Sequence, residues 1–182
     1  LLRKRYTDDD EAYKLYQMAR YYQKRQRAET VAKSKECLDQ AVALDPGFAL
    51  AHYGLAEYFW IEAFYAAIPP KDLLIKGRAA TETALRLDDS LAEAHAMRGI
   101  YKAFLDFDWQ GAEEEFRRAL ALDPQSAISR DRYGTYIMSM TGRLNDAIAE
   151  LEKVVRADPT SVYYQYHLAI VLLMAGQYDR AL

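Results

Sequence analysis

Three features of the sequence could in principle do chemistry: its histidines, its one cysteine and a run of three glutamates. His52 and His95 occupy matching places in similar stretches, and His167 lies two positions further along its own stretch. No partner stands at a spacing suited to zinc. Successive residues on a helix point in different directions, so Glu113–Glu115 cannot converge on one metal ion. We expect structural histidines packed between helices and a solvated, arginine-paired glutamate face.

Motifs that bind cofactors or activate nucleophiles are missing from the sequence. It has no glycine-rich phosphate loop, no G-x-S-x-G turn and no H-E-x-x-H helix. Cys37 has no second cysteine to pair with, and beside Leu38 on a helix it is expected to be an inert, half-buried thiol. The sequence therefore predicts no enzyme activity, no metal and no cofactor.

Composition and charge exclude further classes. With 51% hydrophobic residues in 182, the chain can bury a sizeable core. A net charge of −3 does not indicate a nucleic-acid or membrane-surface binder, and no apolar run of about 18 residues could span a membrane. The single cysteine favours a reducing compartment, so we expect a cytoplasmic location. Because the chain starts without Met and stops within a pattern, we also expect it to be part of a longer protein.

The elements that carry these side chains repeat along the chain. Four similar stretches, each built around Asp-Pro or Asp-Asp, occur along the chain: ALDPGFALAHYGLA at 43–56, RLDDSLAEAHAMRG at 86–99, ALDPQSAISRDRYG at 121–134 and RADPTSVYYQYHLA at 156–169. Proline ends a helix because it cannot continue the hydrogen-bond ladder. Each copy is therefore predicted to be a joint between two helices.

The spacing of these joints predicts helix pairs. Their landmarks are Pro46, Asp89, Pro124 and Pro159, which stand 43, 35 and 35 residues apart. A period near 34 residues is typical of helical repeat arrays. Within 143–157, apolar residues recur at i+3 and i+4 and form one helix face, and strand signals are absent. The sequence therefore predicts an all-α chain.

Small residues at fixed places predict how the helices pack. Midway along the first helix of each unit stand Ala19, Ala56, Gly99, Gly134 and Ala169. Small side chains let antiparallel helices approach closely. With the terminal proline, this pattern resembles the tetratricopeptide repeat (TPR). The resemblance implies a right-handed solenoid of antiparallel helix pairs, with four units and the start of a fifth, at 8–46, 47–89, 90–124, 125–159 and 160–182.

Some positions depart from the family pattern. Arg98 and Lys102 stand where the family has apolar residues, which predicts a rotated or shifted first helix in unit three. Unit two is longer than its neighbours, and Pro69-Pro70 is expected to end a lengthened first helix. The first helix of the chain is expected to have Thr7 as its N-cap.

A narrower resemblance concerns residues 3–25 and 106–124. With the proline pair of unit two, these stretches resemble the TPR regions of multidomain bacterial signalling and transcription regulators. That resemblance implies the carboxy-terminal interaction or sensing part of such a regulator.

The family's concave groove implies a partner-binding surface. Carried over by position, it is formed by Tyr13, Tyr16, Arg20, Gln23, Lys24, Tyr53, Glu57, Trp60, Ile61, Ala96, Ile100, Phe104, Asp131, Thr135, Met138, Tyr163, Tyr166 and Ile170. An aromatic groove with a basic end suits a protein or peptide segment with some acidic character. Gly54 and Ala96 replace residues of the family's clamp for chaperone carboxy termini, so that partner class is disfavoured. The alternative for Trp60 is that it fills the gap made by the insertion in unit two.

Three functions stay open at this point. The first is a protein-interaction scaffold, and the second is a small-ligand sensor that controls an upstream kinase, cyclase or DNA-binding domain. A third is self-association through the carboxy-terminal end, where Leu168, Val171, Leu172 and Ala175 are expected to lack a partner helix. An open groove would favour a peptide, and a closed cavity a small ligand.

Overall fold

A computed structural model describes residues 7–25, 28–65 and 71–181, and within these ranges the chain is helical with no strand. The chain forms a right-handed solenoid of antiparallel helix pairs, with four units and the start of a fifth. The helices are α1 (Asp10–Arg25), α2 (Ala28–Leu44), α3 (Ala49–Tyr65), α4 (Lys71–Leu87), α5 (Ala92–Leu105), α6 (Trp109–Leu122), α7 (Ala127–Arg132), the π-helix π1 (Tyr133–Met138), α8 (Leu144–Ala157), α9 (Val162–Met174) and α10 (Tyr178–Ala181).

The four joints share one geometry. Each second helix ends two residues before the landmark residue, and each following first helix begins three residues after it. The aspartate before the landmark accepts a hydrogen bond from the backbone N–H two residues further on, as aspartates do in turns. The four bonds join Asp45 to Gly47, Asp88 to Ser90, Asp123 to Gln125 and Asp158 to Thr160, over 2.9, 3.0, 3.0 and 3.3 Å.

A second bond closes every joint, and the sequence patterns had not indicated it. The side chain six residues after the landmark donates to the landmark's carbonyl oxygen. The pairs are His52–Pro46 (3.0 Å), His95–Asp89 (2.9 Å), Arg130–Pro124 (2.8 Å) and Gln165–Pro159 (2.7 Å). This bond gives His52 and His95 the structural role expected of them.

The glycines at the small positions are needed for close packing. A Cβ on Gly99 would lie 2.8 Å from the Phe116 ring and 3.0 Å from the Ala112 carbonyl oxygen. On Gly134 it would lie 3.2 Å from Leu151 Cγ. Both neighbours belong to the second helix of the same unit, so the helices of units three and four approach as the sequence predicts.

Unit three is not rotated, contrary to the expectation from Arg98 and Lys102. Gly99 still faces α6, and the two cations reach across to Glu115 on that helix. Arg98 Nη2 lies 2.8 Å from Glu115 Oε2, and Lys102 Nζ lies 3.4 Å from Oε1. An ion pair between the helices replaces the apolar contact. Glu115 is therefore not part of a solvated face, and its side chain is only 12% exposed.

The amino-terminal cap also differs from the expectation. Asp9, and not Thr7, caps α1: its Oδ1 accepts from the backbone N–H groups of Glu11 and Ala12, at 2.9 and 2.8 Å. Thr7 instead donates to Asp45 Oδ2 over 2.5 Å and so ties the start of α1 to the first joint. Pro69 and Pro70 lie outside the described residues.

At the carboxy-terminal end, Val171 and Leu172 are buried, which corrects the expectation that they lack cover. They pack with Leu151 of α8 and with Ala181 of α10, so the short α10 closes this cluster. The large apolar side chains that remain exposed nearby are others: Leu173, Met174 and Tyr178.

Candidate functional site

A surface recess of about 780 Å³ lies among α1, α3, α7, π1 and α9. We call it the groove. It is lined by Arg20, Gln23, Lys24, Arg25, Glu57, Trp60, Ile61, Ile128, Arg132, Tyr136, Asp158, Ser161, Val162, Tyr163, Tyr164, Tyr166 and His167. Residues of units one, two, four and five thus meet around one space.

The floor of the groove contains a buried carboxylate between two arginines. Glu57 is 6% exposed; its Oε1 accepts from Arg132 Nη2 over 2.5 Å, and its Oε2 pairs with Arg20 Nη1. Arg132 is 3% exposed, and its Nη1 also lies 3.2 Å from Met97 Sδ. The three residues come from α1, α3 and α7, so this ion pair network links units one, two and four. Removing one partner of such a pair typically costs about 3–5 kcal/mol, because the other charge stays buried.

Aromatic side chains form the wall beside this floor. The Trp60 ring packs against Tyr136, Phe104 and Tyr101, with centroid distances of 5.5, 5.2 and 6.4 Å. These contacts leave Trp60 only 9% exposed, and its remaining edge lines the groove. Its contacts are thus mostly those of a packing residue that joins units two, three and four.

A buried pair, His167 and Asp131, connects α9 on one side of the groove to α7, which carries Arg132 of the floor. His167 Nδ1 lies 2.8 Å from Asp131 Oδ2, and Asp131 is fully buried. Burial raises the pKa of Asp131, and the hydrogen bond and charge of His167 offset only part of that rise. The pair joins α9 to α7, and His167 itself lines the groove.

The backbone also changes next to the floor. Directly after Arg132 the chain forms π1, in which the N–H of Ser139 reaches back to the carbonyl of Gly134 over 3.1 Å. π-Helical turns are rare, and they frequently occur at functional sites. Here the wider turn carries Tyr136 into the groove wall. No local sequence pattern indicates this turn.

The two rims of the groove differ in chemistry. On one side, the last turn of α1 presents the exposed side chains of Lys24 and Arg25. On the other side, the first turns of α9 present Val162, 76% exposed, and Tyr166, 55% exposed. Of the lining side chains, four are cations and two are carboxylates.

The structure brings eight of the eighteen candidate residues to the groove and places ten elsewhere. The eight that line it are Arg20, Gln23, Lys24, Glu57, Trp60, Ile61, Tyr163 and Tyr166. Five of the others pack between helices: Tyr13 and Tyr16 against Phe48, Tyr53 beneath Arg20, Phe104 between Trp60 and Trp109, and Asp131 against His167. The remaining five do not line the groove: Ala96, Ile100 and Thr135 are buried, and Met138 and Ile170 are half-buried.

The residues that the sequence did not indicate come mostly from units four and five. Arg132, Tyr136, Val162 and His167 line the groove but were not among the candidates. Arg132 meets Glu57 across 75 residues, and no local pattern shows such a pairing. The sequence did contain a signal for His167, which stands two positions beyond the place that His52 and His95 occupy in their stretches. Its ring therefore does not bond the carbonyl oxygen of a joint and instead bonds the side chain of Asp131.

The lining of the groove offers several kinds of contact for binding. Among the described residues, no three His, Cys, Asp or Glu side chains are grouped to hold a metal ion. No helix in the described part of the chain is long and apolar enough to cross a membrane. Aromatic edges, a buried ion pair network and exposed cations offer stacking, shape and charge to a ligand.

Comparison with known proteins bears on the fold. Residues 141–182 match the family model described as tetratricopeptide repeat. A solved thermophilic TPR protein from Thermus thermophilus is similar at 24% identity, over 91% of this chain and 84% of that one, with a TM-score of 0.71. The fold is a TPR solenoid. The joints and small positions described above are therefore those of TPR units.

Other solved structures are similar at lower identity. PilW, a widely conserved type IV pilus biogenesis factor, has 21% identity over 95% of this chain and 75% of that one, with a TM-score of 0.67. YrrB, a TPR protein with an unusual peptide-binding site, has 18% identity over 96% and 83%, with a TM-score of 0.52. Among curated proteins, none matches the chain.

Proposed function

We propose that the chain is a non-catalytic protein-interaction module that binds a peptide segment in the groove. The observation that supports this is the groove itself: about 780 Å³ lined by aromatic and arginine side chains from four TPR units. Aromatic and arginine side chains are the residues most enriched at the energetic centres of interfaces. The TPR fold supports an interaction role, and one similar TPR structure, YrrB, has a peptide-binding site.

The finer setting is also a proposal. The resemblance of residues 3–25 and 106–124 to the TPR regions of bacterial regulators supports a role as the interaction part of a cytoplasmic signalling or transcription regulator. The alternative, a small-ligand sensor, would use the same groove.

A library selection tests the binding function. The purified chain is immobilised and panned against random decapeptides, and the selected peptides are measured by fluorescence anisotropy. Val162→Asp should weaken binding about tenfold, or 1.4 kcal/mol, because Val162 lies on the rim and is largely exposed. Ile75→Asp is the matched control, since Ile75 is exposed on α4 outside the groove.

The outcomes separate the alternatives. Selected peptides that bind the wild type and the Ile75 variant, but bind the Val162 variant weakly, support the groove. Equal binding to both variants would place the peptide site elsewhere. If no peptide is selected, the interaction function fails and the sensor alternative is left.

A further inference from the structure

The cations of the groove fall into two classes. The floor cations are already paired. Arg132 bonds Glu57, and Arg20 pairs with Glu57 and donates from Nη1 to Gln23 Oε1 over 3.0 Å. Displacing Glu57 would leave its charge buried without a partner, which proteins tolerate poorly. A ligand carboxylate therefore gains little from the floor.

The rim cations are available. Within the part of the chain that the structure describes, no carboxylate pairs with Lys24 or Arg25. Arg25 lies over the ring of Tyr21, with its guanidinium carbon 4.5 Å from the centroid, which orients the side chain and leaves its charge unneutralised. Both residues lie in the last turn of α1, where the helix dipole favours positive charge.

The groove is also positive on a chain of net charge −3. The four lining cations exceed the two carboxylates, Glu57 and Asp158, by two charges. Arg20, Arg132 and Glu57 together keep one net positive charge that is largely buried, and Lys24 and Arg25 add two that are exposed. A positively charged groove on a negatively charged chain attracts anionic partners and repels basic ones.

An apolar surface lies within the same groove. Ile61 and the free edge of Trp60 come from α3, Ile128 from α7 and Val162 from α9. A segment that places carboxylates at the rim can therefore lay a neighbouring apolar side chain on this surface.

Resting on the proposed function, we infer that the bound segment is acidic with an adjacent apolar residue, and that Lys24 and Arg25 take its carboxylates. Arg20 and Arg132, the more buried arginines, hold the floor together and do not take the carboxylates.

The test uses three synthetic fluorescent decapeptides that differ only in one adjacent pair of residues. The pair is two glutamates, two glutamines or two lysines, followed in each peptide by leucine and phenylalanine. They are titrated into the wild type, the double variant Lys24→Glu/Arg25→Glu and the control Lys33→Glu/Lys76→Glu. The control makes the same charge change at exposed lysines of α2 and α4 outside the groove. Circular dichroism and thermal unfolding check that each protein is folded.

We expect the wild type and the control to bind the glutamate peptide about tenfold more tightly than the lysine peptide, with the glutamine peptide between them. The Lys24/Arg25 double variant should reverse that order. Raising the salt concentration about tenfold should weaken the glutamate peptide most, because exposed charges are screened.

Equal affinity for the three peptides, or the same order in the double variant, would overturn the assignment to Lys24 and Arg25 while leaving peptide binding standing. A selected library rich in lysine and arginine would overturn the acidic preference in the same way. If neither these peptides nor the random library binds, the inference and the proposed function fail together.

Discussion

Glu115 shows how a single side chain in this fold makes stability depend on pH. Burial alone would raise its pKa, but hydrogen bonds from His95 and Arg98 and the charges of Arg98 and Lys102 lower the pKa from 4.5 to about 2. Because the folded-state pKa is depressed, the carboxylate stabilises the fold fully above pH 4.5, and this contribution disappears as the pH falls from there towards 2.

We therefore expect Glu115→Gln to lower the free energy of unfolding at neutral pH by roughly 2 kcal/mol. Urea unfolding at neutral pH and at about pH 3 checks this, and the variant should lose less stability on acidification than the wild type. Glu114→Gln is the control because Glu114 is exposed. A variant whose loss on acidification equals that of the wild type would remove Glu115 from this role.

Trp60 packs where units two, three and four meet, so its truncation should destabilise the fold. Its ring is nearly buried against three other aromatic rings. Truncating a large buried aromatic residue typically costs about 3–5 kcal/mol, so Trp60→Ala should lower the melting temperature strongly. Trp60→Phe keeps a ring and should cost less. An unchanged melting temperature for Trp60→Ala would contradict the packing role.

Among the helices, the closest approach at any described glycine is at Gly77 of α4. A Cβ there would lie 1.9 Å from Tyr101 Oη, and this hydroxyl is held by a 2.7 Å hydrogen bond to the Ala56 carbonyl. Tyr101 is fully buried and cannot move aside. Gly77→Ala should therefore cost about 1–3 kcal/mol by overpacking.

Gly134→Ala provides the comparison for Gly77→Ala. Its added Cβ meets Leu151 Cγ at 3.2 Å, a contact that a small shift of the leucine can relieve. Chemical denaturation of both variants should show the larger loss for Gly77→Ala. The reverse order would mean that α4 of unit two and α5 of unit three separate more easily than their packing indicates.

The helix boundaries were predictable because the residues that end one helix and start the next are close together in sequence. An Asp-Pro or Asp-Asp pair ends one helix and starts the turn within a few residues, and small residues mark each close approach. π1 was not predictable, since no residue within 133–138 demands a wider turn. The rotation expected for unit three was wrong because Glu115, on a different helix, neutralises Arg98 and Lys102.

The groove was only partly predictable, for a reason that belongs to the whole molecule. Of the positions that the repeat indicates on α1 and α3, Arg20, Gln23, Lys24, Glu57, Trp60 and Ile61 line the groove. Tyr13, Tyr16 and Tyr53 of the same helices pack between helices instead. Whether Asp131 faces the groove or packs against His167 depends on how unit four meets unit five. Such contacts between distant stretches are set by the curvature of the array, which a single sequence does not reveal.

Self-association is a prediction for the assembled solenoid. The exposed apolar side chains Leu173 and Met174 of α9 and Tyr178 of α10 lie close together in sequence at the carboxy-terminal end. Exposed apolar patches commonly mark association sites. Sedimentation at rising concentration should show association that Leu173→Glu weakens. If the wild type stays monomeric throughout, these residues are not an interface.

A peptide in the groove between α1, α3 and α9 lies next to the exposed edge of Trp60, so the fluorescence of Trp60 reports whether the groove is occupied. The chain has two tryptophans, so Trp109→Phe leaves Trp60 as the only reporter. On titration with a selected peptide, the emission of Trp60 should change and saturate with the dissociation constant found by anisotropy. Saturable peptide binding that leaves the emission of Trp60 unchanged, and that Val162→Asp does not weaken, would place the peptide outside the groove.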